Sequence, residues 1–221
     1  MKVLITGSNG LLGQKLLHKL RVDDEIELIA TSKGENRVSE KNSYTYFELD
    51  ITNKDAVAKL APRALWWFRW SAFFTFLTGL VLLYLITLRV NLDILFGVLM
   101  GTLMMLNVWG IIWPNQKVII GLTEGDAAVA GPKAALASRT NTLFSVPMLY
   151  FMVSSAHYPH GGYLLAGNMS MEGLYVGLLI ILAIEANAIW GKMLSVITSV
   201  KEVVVSGFAL TIILSGVAYY L

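Results

Sequence analysis

The chain has 221 residues, of which 56% are hydrophobic and only 14% charged, with a mean hydropathy of +0.63. An ordinary soluble domain is about 25% charged, so this composition excludes one. A net charge of +2 is too small to indicate a nucleic-acid partner, and the lack of Cys excludes disulfides, thiolate metal sites, iron–sulfur clusters and covalently attached c-type haem on this chain.

The charge is unevenly placed. Residues 1–63 hold 19 of the 32 charged side chains, whereas all six Trp and eight of the nine Met fall after residue 63. Two segments follow: a water-soluble one over 1–60, and an integral membrane one over 64–221. No cleavable signal peptide is expected, because the apolar run at the N-terminus is far too short.

That run, Lys2-Val3-Leu4-Ile5-Thr6, reads as a strand and leads into Gly7-Ser8-Asn9-Gly10-Leu11-Leu12-Gly13. Leu11, Leu12, Leu16, Leu17 and Leu20 then recur at helical spacing, so the glycines sit on a strand-to-helix turn. Gly7 suits the tight turn, Gly10 admits a pyrophosphate close to the backbone, and Gly13 lets helix and strand approach. The free N–H groups of the helix N-terminus complete a phosphate cradle. A second strand is expected over 25–31. The acid that grips a ribose 2′-hydroxyl in NAD-preferring folds is replaced there by Thr31-Ser32-Lys33, with Arg37 close by, so NADP is favoured as cofactor. A third strand is expected over 44–49, ending at Asp50-Ile51.

The Thr6-Gly7-x-x-Gly10-x-x-Gly13 pattern, the Gly34–Arg37 stretch and Leu49-Asp50-Ile51-Thr52 resemble the start of an extended short-chain dehydrogenase/reductase of the dTDP-4-dehydrorhamnose reductase type. The resemblance implies that Asp50 and Ile51 flank the adenine. It also implies a catalytic Tyr-x-x-x-Lys pair, yet no Tyr here has Lys four residues later. Strands four to six of the doubly wound order have no counterpart either. The expectation is a truncated Rossmann-like βαβ unit whose first strand lies at a sheet edge.

The second segment reads as a mainly α, five-span transmembrane bundle, with spans at about 70–88, 94–113, 140–158, 173–191 and 203–221. Lys and Arg alternate between its connections, which places the N-terminus in the cytoplasm and the C-terminus outside. Trp66, Trp67, Trp70, Trp113 and Trp190 fall near span ends, as an interfacial belt requires. Polar groups within spans are costly and mark sites: Glu185 first, then Asn107, with Arg139 and Asn141 capping the start of span three and His157 near its outer end. By helical period Asn187 lies about 200° round from Glu185 and serves other neighbours. Three His, at 18, 157 and 160, cannot form a bis-His haem site within one chain or a three-His metal site in the membrane, so no metal is expected.

The runs Arg63–Trp70, Asn107–Lys117 and Ala137–Leu143, with Pro147-Met148 and Glu185-Ala186-Asn187, resemble the membrane domain of the bacterial membrane-bound urate hydroxylases. The resemblance implies oxidation of urate to 5-hydroxyisourate, with electrons passing to cytochrome c, and an inner-membrane location. Since this chain has no Cys, the acceptor would be a separate cytochrome c or other electron carrier; lipid and a second copy of the chain are the other expected partners. Two alternatives stand beside this reading: an NAD(P)-dependent nucleotide-sugar reductase relative, and a non-catalytic fusion whose join at 55–63 has no Gly/Ser-rich linker.

Overall fold

The computed structural model describes residues 2–23, 25–38, 44–48 and 54–221, without the side chains of 54–60. The chain divides into two units, Met1–Ala64 and Leu65–Leu221.

In the first unit, the apolar run Val3-Leu4-Ile5 forms β1 (Lys2–Thr6), and the glycine turn leads into α1 (Leu11–Leu20). β2 (Glu27–Ser32) and β3 (Thr45–Glu48) complete a parallel sheet of order β1-β2-β3, with Val3 opposite Leu28 and Ile29 opposite Thr45. Among the described residues β1 pairs only with β2, so it lies at an edge. Parallel sheets are normally covered on both faces. Here Ile5, Leu17, Leu28 and Ala30 are buried between sheet and α1, whereas Leu4 is 52% exposed. One layer of helix is in place; on the other face Thr31 is buried and Ile29 half-buried. Asp50 and Ile51, expected to flank adenine, lie outside the described residues.

The composition break falls within a single helix, α2 (Lys54–Leu85), where the sequence suggested a join between separate pieces. Its apolar part, Ala61–Leu85, has no buried residue. The helix stops at Leu85, and a 3₁₀ turn, Thr87–Arg89, takes the place expected for the end of span one.

α3 (Leu92–Asn107) starts at Asn91, whose side-chain oxygen accepts the Ile94 N–H at 3.0 Å. It runs without a break through a π-helical turn, Val108–Ile112, into α4 (Trp113–Ile119). Pro114 accounts for the widening: it has no N–H, and in a regular helix its ring would meet the Gly110 carbonyl. The wider turn is closed by the Trp113 N–H bonding to the Val108 carbonyl, five residues back. Leu92–Ile119 is therefore one apolar segment, longer than the expected span of 94–113.

α5 (Ala127–His157) is capped by Asp126, so it begins 13 residues before the expected span at 140–158. α6 (Met171–Trp190) and α7 (Val200–Tyr220) begin on Ser170 and Ser199, the latter in a reciprocal capping box with Glu202. Among the described residues four helical segments are long and apolar enough to cross a membrane: Ala61–Leu85, Leu92–Ile119, Met171–Trp190 and Val200–Tyr220. α5 is long enough but too polar, carrying Thr140, Asn141, Thr142, Ser145, Ser154 and Ser155. α3, α4, α6 and α7 all pack against α5, which buries Thr140 and Ser154, whereas Thr142 is exposed.

Small residues set the close contacts. A Cβ on Gly177 of α6 would stand 2.1 Å from Cζ of the buried Phe96 on α3, and Gly173, four residues earlier, receives Leu92. Gly207 of α7 faces the Leu143 carbonyl of α5, which lacks its usual helical donor because residue 147 is Pro. The core then fills with Phe96 and Met100 from α3, Phe144 and Phe151 from α5, Ile181 from α6, and Val203 and Leu214 from α7.

Candidate functional site

Three of the five candidates in the helical unit meet. Asn107 is the last residue of α3, where the π turn begins, and is 1% exposed; Glu185 on α6 is 6% exposed. The Asn107 side-chain amide uses both hydrogens: Nδ2 donates to Glu185 Oε2 at 3.1 Å and to Asn141 Oδ1 on α5 at 2.9 Å. Asn141 Nδ2 in turn donates to the Met104 carbonyl at 3.0 Å. Three helices are thus joined through one amide. Among the described residues Glu185 Oε1 accepts no hydrogen bond. A carboxylate with one oxygen held and the other unengaged can accept a proton from water or an N–H from a planar heterocycle.

The other two candidates are elsewhere. Arg139 is well inside α5 and caps nothing, because the helix starts at Ala127; among the described residues it forms no ion pair with Glu185. His157 ends α5 and is exposed. Asn187 donates to the Lys192 carbonyl at 3.3 Å, away from Glu185.

A second polar cluster was not anticipated. Asp93, in the first turn of α3, is fully buried; its Oδ2 accepts the Ser154 hydroxyl at 2.7 Å and lies 3.2 Å from His160 Nδ1. The His160 ring also meets Tyr219 edge-on, and Asn91 Nδ2 donates to the Ser155 carbonyl. The cluster ties the segment after α5 to the start of α3 and the end of α7. Asp93 lay at a predicted span boundary, where a charge reads as a solvated flank.

In the first unit, Gly7 has φ +69°, in the left-handed region, and a Cβ on Gly13 would lie 2.4 Å from the Gly7 carbonyl oxygen. Gly10 occupies the N-cap of α1 without a side-chain cap. Among the described residues the buried Ser8 hydroxyl has no partner. This turn fits a dinucleotide pyrophosphate, which would meet the first N–H groups of α1. Asn9, missed by glycine spacing, holds the neighbouring loop: Nδ2 donates to the Lys33 and Glu35 carbonyls at 3.1 and 2.9 Å, and Oδ1 accepts the Arg37 N–H at 3.0 Å. Lys33 and Arg37 are exposed on that loop. A bound nicotinamide cofactor would supply hydride chemistry, and the glycine turn and the first N–H groups of α1 would hold it.

Residues 89–205, just over half the chain, match the family model for urate oxidase N-terminal. The chain belongs to the urate oxidase N-terminal family. Its family segment contains the whole Asn107–Asn141–Glu185 network and the Asp93–Ser154–His160 cluster. Residues 3–64 match the NAD-dependent epimerase/dehydratase family, so the glycine turn and sheet stand where that likeness lies. No curated protein and no solved structure matches the chain.

Proposed function

We propose that this urate oxidase N-terminal family member is an integral inner-membrane protein, crossing the bilayer five times with α5 as the shielded central span and its N-terminal unit in the cytoplasm. The bundle takes part in urate oxidation, in which urate and water give 5-hydroxyisourate, two protons and two electrons. Glu185 accepts a proton from the attacking water, and Asn107 and Asn141 orient it and meet the polar edge of the ring. The electrons leave to a separate one-electron acceptor such as a cytochrome c. The N-terminal cradle binds NADP(H) in preference to NAD(H), with Lys33 and Arg37 receiving the 2′-phosphate.

The observation that carries this reading is the buried Asn107–Asn141–Glu185 network within the family segment. Thermal unfolding of the full chain in detergent, with and without urate, tests it. Urate is expected to raise the midpoint of the wild type and of Asn187→Ala, and to leave Glu185→Gln unmoved. An equal rise in Glu185→Gln would overturn the assignment.

A further inference from the structure

The guanidinium of Arg69 on α2 lies over three indoles, 4.4 Å from the ring centroid of Trp113, 4.9 Å from Trp109 and 5.8 Å from Trp70. Lys117 on α4 brings a second cation to Trp113 at 5.9 Å. Two cations sharing one ring repel each other, and among the described residues neither is paired with a carboxylate. Aromatic faces offset a guanidinium's charge but accept few of its five N–H donors. Among the described residues, Arg69 Nε and the Trp70 and Trp109 Nε1 groups are buried donors without partners, and Gln116 Oε1 is a buried acceptor without one.

Buried donors clustered around Arg69, with a second cation at Trp113, suit an oxyanion. Arg69 lies toward the start of the apolar segment Ala61–Leu85 and Lys117 toward the end of Leu92–Ile119; the Trp70–Trp109 ring contact, 5.6 Å between centroids, brings these ends together near one bilayer surface. Basic pockets between helices at such a surface receive lipid phosphates. The apolar face of α2 beside the site is unburied, so acyl chains can lie along it.

We propose that Arg69 and Lys117, framed by Trp70, Trp109 and Trp113, bind the phosphodiester headgroup of phosphatidylglycerol. The guanidinium fork takes two phosphate oxygens, the Lys117 ammonium takes one from the side, and Gln116 Oε1 accepts a glycerol hydroxyl. Free phosphate shares part of this chemistry but has neither the hydroxyl donor nor the chains.

The test is thermal unfolding of the full chain in neutral detergent, titrated with phosphatidylglycerol, phosphatidylcholine or inorganic phosphate. Phosphatidylglycerol is expected to raise the midpoint saturably, and phosphatidylcholine is not. Arg69→Gln, which loses the two-pronged fork, and Lys117→Gln, which loses one charge-assisted hydrogen bond, should each weaken half-saturation about tenfold or more, while Lys201→Gln leaves it unchanged. Lys117→Gln keeps the test decisive if Arg69→Gln does not fold. Equal rises with both lipids, an undiminished response in Lys117→Gln, or a full response to inorganic phosphate alone would overturn the proposal.

Discussion

Replacing Asn107 by Ala removes the amide through which α3, α5 and α6 are joined. Two acceptors lose their donor, Asn141 Oδ1 at 2.9 Å and Glu185 Oε2 at 3.1 Å. Interhelical hydrogen bonds in membrane bundles average about 0.6 kcal/mol and reach about 1.7 kcal/mol. A buried acceptor left unpaired costs about 1–3 kcal/mol, with carboxylates toward the upper end. Together with the space vacated by a side chain only 1% exposed, the expected loss is about 2–4 kcal/mol. Equilibrium unfolding of the full chain in mixed micelles measures it. A double-mutant cycle with Glu185→Ala should give a coupling of about 1 kcal/mol, because the two residues share one bond. Asn107→Ala within about 0.5 kcal/mol of wild type, and additive with Glu185→Ala, would refute the reasoning.

Gly177→Ala places a methyl 2.1 Å from the buried Phe96 ring and should destabilise the bundle by about 1–3 kcal/mol in the same unfolding assay. Gly10→Val should abolish NADPH binding to the full chain, followed by cofactor fluorescence, because its side chain occupies the pyrophosphate's place at the α1 N-terminus. With five crossings and a cytoplasmic N-terminus, a reporter fused after Leu221 should read as external; a cytoplasmic reading would remove either the crossing by α5 or the orientation.

The glycine turn could be read from residues alone because spacing, flanking strand and following helix all concern neighbours in sequence. The apolar runs of α6 and α7 were legible for the same reason. The start of α5 was not. Ala127–Arg139 favours helix through its alanines but carries Pro132, Lys133 and Arg139, which end an apolar run without ending a helix. Misplacing that start turned Arg139 into a cap. Glu185 and Asn107 stood out as polar residues inside apolar spans and Asn141 as a cap of span three, but their meeting depends on how the helices pack, which hydropathy does not encode. The Asp93–Ser154–His160 cluster and the Arg69 site stayed hidden for a related reason. Charges at span boundaries read as solvated until packing buries them.

The most direct measurement is urate turnover by the full chain in proteoliposomes with ferricytochrome c as added acceptor, following urate loss and haem reduction together. The account predicts two haems reduced for each urate consumed, retention of turnover in Asn187→Ala, and its loss in a folded Glu185→Gln protein. Urate consumption unaffected by Glu185→Gln, or no urate-dependent haem reduction by the folded wild type, would contradict it.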